Sequence, residues 1–341
     1  MDFKLIKLTE DKFQDWNNFC LKSNDAWFWH TADWLNYTRH YRPDLKTQDF
    51  SFLVYKQDQI MAIVPLTLEF YPDKNVKEFS FGGWATPAPA LKNSISLGER
   101  KIIFEFILGK IDELARQEKA SLSRFVCSPL SDNSLNKKIS PDIFLDFGYI
   151  DIPVSSQIID LRKTQDELWK NLRRNHRRSI LKSSQLKVNF FTSQNLTGDI
   201  FWAYQEMHRR AAGRKTRPGI TFELMCDWLQ KGFAFLAVVE LDEKKVGFEY
   251  YSIYKNQVYA FSAANDPDCD KMPIRHFLEW ESILWMKKQK FSFYEIGHQP
   301  YWSPSQKQLN IAHFKEGFGG MIKSLFMREK HYNLLSQAQK I

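Results

Sequence analysis

No stretch of this sequence comes near the ~18 consecutive apolar residues that a membrane-spanning helix needs. The opening residues, MDFKLIKLTEDKF, carry acids and no apolar h-region, so no secretory signal is expected there. Cysteine is scarce. Cys20, Cys127, Cys226 and Cys269 lie far apart, form no CxxC pair, and are expected to be reduced thiols of a cytoplasmic protein. The eight histidines show no HExxH or other ligand spacing, so no structural metal is expected. Disorder is excluded by what remains: 43% hydrophobic and 15% aromatic residues supply ample core, and 341 residues are long enough for two domains.

Charge is not balanced. The formal net charge is +8 and the pI is about 9.1, which favours anionic partners: phosphates, nucleotides, RNA or a membrane surface.

The order of elements repeats. In the second half, apolar β-branched runs at 233–241, 246–254 and 258–264 are separated by the polar turns DEKK and KNQ. Residues 274–290 then place Ile274, Phe277, Leu278, Leu284 and Trp285 at helical spacing, and 291–296 reads as a further strand stopped at Gly297. In the first half, strands at 50–55, 60–70 and 78–81 precede a helix over 98–119. Ile102, Ile103, Phe106, Ile107, Ile111 and Leu114 are its expected apolar face, and a strand at 122–127 follows. Hairpins followed by one crossover helix and another strand predict a mixed α/β layered domain, twice over: residues 1–160 and 161–341, with a ligand cleft between them.

Between the halves, TQDELWKNLRRNHRRSILKSS predicts one helix over 164–184. Thr164 and Glu167 have capping-box spacing. Lys170, Arg174, Arg178 and Lys182 fall at spacing four, with Arg173 and Arg177 in a second stripe beside them. Such a face is either solvated or set against phosphate or RNA. On the second reading Arg173, Arg174, Arg177 and Arg178 are the contacts.

Three stretches together carry a resemblance: ELWKNLRRNHRRSILKSS, FSAANDPDCDKMPIRHFLEWESILWMKK, and YEIGHQP…SQKQLNIAHFKEGFGG. They resemble the FemABX-type transferases, whose fold is a tandem of acyltransferase domains of the GNAT type. The likeness covers roughly residues 165–325, and FKEGFGG is its most specific part. It implies acyl transfer to an amine of a cell-envelope precursor, a peptidoglycan peptide or an amino sugar of a surface polysaccharide. The donor would be aminoacyl-tRNA or acyl-CoA, used as a co-substrate rather than held as a tight cofactor. The implied partners are an anionic envelope precursor or nucleotide sugar, with tRNA and the inner-membrane surface as further candidates. It also implies that Phe314 and Lys315 lie at the reaction centre and that an arginine near Arg214 and Arg217 contacts acceptor phosphates. Two departures stand out. No sustained heptad run supplies a coiled-coil arm. The loop before the crossover helix, NDPDCDKMP, has three acids and no glycine. Asp266, Asp268 and Asp270 suit the helix dipole but oppose a pyrophosphate.

The chemistry follows from residue types. Acyl transfer to an amine passes through an oxyanion, and one donor held at that oxygen contributes ~3 kcal/mol. Lys315 is the candidate, with Phe314 and Phe318 excluding water and Gly317, Gly319 and Gly320 letting the backbone approach the substrate. His298, directly after a strand end, and Glu249, a charge among apolar strand residues, are the candidate bases. Tyr251 on that strand and Trp302 in the following loop are candidate substrate contacts. FGGWATPAPAL, residues 81–91, reads either as a wall of the cleft or as a plain structural connection, the latter preferred. The rival to an enzyme is a non-catalytic RNA- or phosphate-binding module on the same fold.

Overall fold

The computed structural model describes residues 2–136, 143–300, 303 and 305–332. The chain divides into two compact units, Met1–Pro153 with Leu325–Ile341, and Val154–Ser324. The boundary expected at 160 falls at 153, and the expected second domain cedes its last residues, from 325 onward, to the first.

In the first unit, one sheet pairs Phe3–Lys7, Phe52–Lys56, Gln59–Val64 and Ala90–Leu91. A second contains Gln48–Asp49, Thr67–Tyr71, Val76–Phe79 and Ala120–Val126, and the end of Met321–His331 pairs antiparallel with Ala120–Val126. The single strand expected over 60–70 is therefore two strands in two sheets. Pro65 lies in the gap, where it cannot donate to a ladder, and the chain changes sheet there. The helix Leu97–Glu118 is capped by Ser96 Oγ, which accepts from Glu99 N at 3.1 Å. Its buried residues are Ile103, Phe104, Ile107, Leu108, Ile111 and Ala115, so the inward stripe is rotated from the expected one and Ile102 is 38% exposed. The loop at 81–84 is a tight hairpin whose Gly82 and Gly83 have positive φ. Buried Glu69 holds it, accepting from Gly82 N at 2.6 Å.

In the second unit, Leu186–Phe191, Ala234–Leu241, Lys244–Tyr254 and Gln257–Asn265 form an antiparallel run. Gln257–Asn265 then pairs in parallel with Phe293–His298, which pairs on its other edge with residues 156–160. Alternation along Lys244–Tyr254 sorts the faces. Phe248 and Tyr250 meet Tyr204 of helix Gly198–Ala212, with ring centroids at 6.0 and 6.2 Å. Tyr251, pointing the other way, stacks on Phe235 at 4.6 Å, and Phe235 meets Trp285 of the crossover helix Ile274–Lys288 at 4.4 Å. Each fully buried ring of this kind contributes about 1.5–3 kcal/mol. Helices thus cover both faces of a mixed sheet, the α/β layering expected of each half. Among the described residues no helix is long and apolar enough to cross a membrane.

The basic segment is two helices, Gln165–Asn171 and Arg174–Leu181. The capping box is present, with Glu167 N donating to Thr164 Oγ1 at 3.2 Å and Thr164 N to Glu167 Oε2 at 2.8 Å. The break falls at Leu172–Arg173. Leu172 is extended, and Arg173 N donates to Gly317 O at 2.8 Å instead of to its own helix.

Candidate active site

The two parallel strands of the second unit separate early. Their ladder runs only through Gln257↔Phe293, Val258↔Tyr294 and Tyr259↔Glu295, although the strands continue to Asn265 and His298. A cavity of about 960 Å³ occupies this side of the unit. Ala263, Ala264 and Asn265 line it from one strand and Ile296 from the other. Residues 269–276 close it at the entrance of the crossover helix, and Lys307, Asn310, Ile311, Phe314 and Lys315 of helix Gln306–Glu316 form another wall.

Lys315 reaches into this cavity from the last turn of its helix. Its Nζ donates to His298 O at 2.9 Å. Gly297 makes the approach possible. Its φ is +113°, which favours glycine, and a Cβ there would sit 2.9 Å from Nζ and push the ammonium from its place. Partial burial pulls the ammonium pKa below the ordinary lysine value, against the pull of the carboxylates of Glu295, Glu279 and Glu249. Phe314 packs edge-on against Phe318 at 5.2 Å and His276 at 5.0 Å. The sequence-predicted Phe314 and Lys315 therefore share one pocket wall.

Glu249 also lines the cavity, 2% exposed and fully engaged. Arg275 donates to both its oxygens, at 2.8 and 3.1 Å, and Tyr251 Oη donates at 2.7 Å. A carboxylate clamped by a bidentate guanidinium is a counter-ion, and the side chain it presents to the cavity is Arg275. Behind them lies Glu279, fully buried, accepting from Tyr294 Oη and sitting 3.5 Å from Arg275. Burial, and then the charge of Glu249, drives the Glu279 carboxyl well above its ordinary range. Tyr251 is wholly buried in this cluster, so the expectation that it touches substrate is corrected.

The other expected residues lie elsewhere. The His298 side chain is exposed and does not line the cavity; only its carbonyl serves the site. Arg173 is not a free surface cation. Its guanidinium donates to His313 O at 2.9 Å and to Glu316 at 3.2 Å, closing the C-terminal end of helix Gln306–Glu316, where a cation opposes the helix dipole favourably. Arg177 is half-buried and donates to Lys170 O at 3.3 Å, whereas Arg174 and Arg178 are exposed. Arg214 is exposed. Arg217 is half-buried against Phe222 and Phe261 and donates to Ser262 Oγ at 3.0 Å, away from the cavity walls. Trp302 lies outside the described residues.

Two expectations about loops also change. The glycines of FKEGFGG clear the protein's own backbone and side chains rather than a substrate. A Cβ on Gly317 would lie 2.0 Å from the His176 ring, one on Gly319 2.9 Å from Asn171, and one on Gly320 2.4 Å from Ile158 O. The acids before the crossover helix are largely neutralised. Arg210 pairs with both Asp266 and Asp268, and of the three acids Asp270 alone lines the cavity, beside Lys271. The local field is set by Lys271, Arg275, Lys307 and Lys315 against Asp270 and Glu249. Sequence reasoning missed Arg275 and Glu295. Arg275 stands four residues before Glu279, and Glu295 is a charge among apolar strand residues, the same signal that flagged Glu249.

A mixed sheet whose parallel strands part over a cavity, with a lysine at the opening, defines a class of fold. Residues 169–314 match the family model of the acetyltransferase (GNAT) domain, and the chain has a GNAT-type fold. In fold it is similar to the crystal structure of FemX, with a TM-score of 0.67, 12% identity and 99% of each chain covered. It is also similar to the structure of L-PGS from Bacillus licheniformis, with a TM-score of 0.59, 12% identity and 98% of this chain and 96% of that one covered. A tandem GNAT protein from the clavulanic acid biosynthesis pathway gives a TM-score of 0.55 at 10% identity, covering 97% and 98%. No curated protein matches the sequence.

Proposed function

We propose that this protein is an N-acyltransferase that moves an acyl or aminoacyl group onto an amine of a cell-envelope precursor, a peptidoglycan peptide or an amino sugar of a surface polysaccharide. The observation that carries the reading is Lys315, an ammonium held by His298 O on the wall of a cavity large enough for two reactants. The deprotonated amine attacks the donor's carbonyl carbon, forming the new N–C bond as the carbonyl π pair moves onto oxygen. Lys315 donates to that oxygen, a contribution of ~3 kcal/mol. Collapse breaks the bond to the leaving sulfur or oxygen, which takes up a proton. Phe314 and Ile311 keep that wall apolar.

Acyl-CoA and aminoacyl-tRNA both bring phosphates. The entrance of helix Ile274–Lys288, with Lys271, Arg275 and Lys307 around the cavity, suits such anions, and the pairing of Asp266 and Asp268 with Arg210 weakens the electrostatic objection to them. The envelope acceptor is supported by the likeness in fold to FemX and to a putative lysylphosphatidylglycerol synthetase domain from Agrobacterium fabrum. We place the protein in the cytoplasm, where both donors are made.

The test is transfer of a radiolabelled acyl group from acetyl-CoA, or of an amino acid from charged tRNA, to an envelope-precursor fraction. Lys315→Ala is expected to lower turnover about a hundredfold with folding unchanged. A wild-type rate from Lys315→Ala removes the assignment and leaves the rival reading, an RNA- or phosphate-binding module. A rise in melting temperature with CoA thioesters but not with charged tRNA, or the reverse, separates the donors.

A further inference from the structure

Strand Phe293–His298 carries a second acid that the proposed chemistry does not use. Glu295 is 5% exposed. Its Oε1 accepts from Ser156 Oγ at 2.5 Å, and its Oε2 has no hydrogen-bond partner. A buried carboxylate with one oxygen unsatisfied is costly and calls for a compensating charge. The charge that acts on it is Lys315. Two residues along the strand from Glu295, Gly297 has no side chain, and the Lys315 ammonium fills that place. Glu295 is also the strongest favourable influence on the Lys315 charge, ahead of Glu279 and Glu249 and opposed by burial and by Arg275.

We propose that Glu295 is a positioning residue that keeps Lys315 in its ammonium form within a half-buried site. Lys315 would otherwise lose its proton to desolvation, and with it the ability to hold an oxyanion. Every polar neighbour of Glu295 fits this role. Ser156 and Gln157 on the adjoining strand are uncharged. Tyr259, opposite Glu295 in the parallel ladder, is held neutral by burial and then by the Glu295 charge. His298, on the same strand, is pulled below its ordinary value by burial and then by the Lys315 charge, so it is neutral where the Glu295 charge is present. Burial raises the Glu295 carboxyl to about 7, while the Ser156 bond and Lys315 oppose the rise, so its charge is present through the alkaline range where Lys315 needs it.

This inference rests on the acyl-transfer reading for its consequence but not for its measurement. The Lys315 Cε signal of protein labelled with 13C-lysine, assigned with Lys315→Arg, is titrated without any substrate. The wild-type signal is expected to show a small inflection near 7 from Glu295 and a main step below the ordinary value of 10.5. Glu295→Gln keeps the shape and can still accept from Ser156. It should erase the small inflection and move the main step down by about one unit, a tenfold change in proton affinity. Ser156→Ala removes a bond that favours the ionised acid and should move the small inflection upward, which tests the idea even where Glu295→Gln does not fold. A main step unmoved in folded Glu295→Gln, or an inflection unmoved in Ser156→Ala, overturns the proposal. The basic limb of kcat/KM should shift down by the same unit in Glu295→Gln. A shifted NMR step in a protein that transfers no acyl group would uphold the pairing and refute the function.

Discussion

Gly317→Ala is the sharpest perturbation the structure offers. Gly317 has ordinary helical dihedrals, so backbone strain is not the issue. The added methyl would lie 2.0 Å from His176 Cε1, 2.1 Å from Nε2 and 2.5 Å from Nδ1, all far inside contact distance. His176 is 5% exposed and boxed by Phe314, Phe318 and His276 at 5.5, 4.8 and 4.6 Å, so the ring has nowhere to go. Displacing it also breaks its 2.9 Å bond to Phe314 O. Overpacking of this kind costs about 1–3 kcal/mol, and the lost hydrogen bond about 0.5–1.5 more, since Phe314 O keeps its 3.1 Å bond from Gly317 N. We expect a loss of about 1.5–4 kcal/mol, read by urea denaturation followed through tryptophan fluorescence. His176→Ala should itself destabilise, yet the double variant should recover a large part of the Gly317→Ala loss, giving a coupling of 1 kcal/mol or more. A Gly317→Ala protein within 0.5 kcal/mol of wild type, or additive single and double variants, would refute the reasoning. Because Lys315 lies two residues away, the same variant reports how far the reaction centre depends on this packing.

Two further outcomes follow from buried charge. Arg275→Met strands Glu249, 2% exposed, without its bidentate partner and should cost about 3–5 kcal/mol by chemical denaturation, while Arg275→Met with Glu249→Met should recover most of it; a mild effect of the single change would mean that the pair is not isolated from water. His208 and His276 are pushed down to about 4, chiefly by burial and then by Arg217 and His176 respectively. The folded state keeps them neutral while the unfolded chain protonates them below about 6.5. The stability they contribute is therefore full above that pH and lost as pH falls towards 4, by a ceiling of roughly 3 kcal/mol each. Urea midpoints at pH 7 and 4.5 should differ, and should differ less in His208→Gln and His276→Gln; a flat profile would contradict the assignment.

What could be read from sequence was local. The capping box of Thr164 and Glu167, the hairpins at 241–244 and 254–257, and the crossover helix each carry their signal within a dozen residues. What escaped needed partners far along the chain. The break at Leu172 comes from a hydrogen bond to Gly317, 144 positions after Arg173, and periodicity alone continues through it. The cations of that segment looked like one exposed stripe, yet Arg173 is spent on the end of another helix. The glycines of FKEGFGG signalled close approach correctly, but nothing local says that what approaches is His176. Likewise the acids of NDPDCDKMP looked uncompensated because Arg210 lies more than fifty residues upstream.

The return of the chain at Leu325 to the first unit has a consequence for synthesis. Everything the second unit needs, Val154–Ser324, has been made before Met327–His331 can pair with Ala120–Val126. The unit whose residues emerge first from the ribosome is thus the last whose sheet can be completed. The edge of Ala120–Val126 waits through about two hundred residues of elongation, some ten to forty seconds at ~5–20 residues per second. Through that interval an unpaired strand edge is open to other chains, and a chaperone that covers it should raise the yield of folded protein.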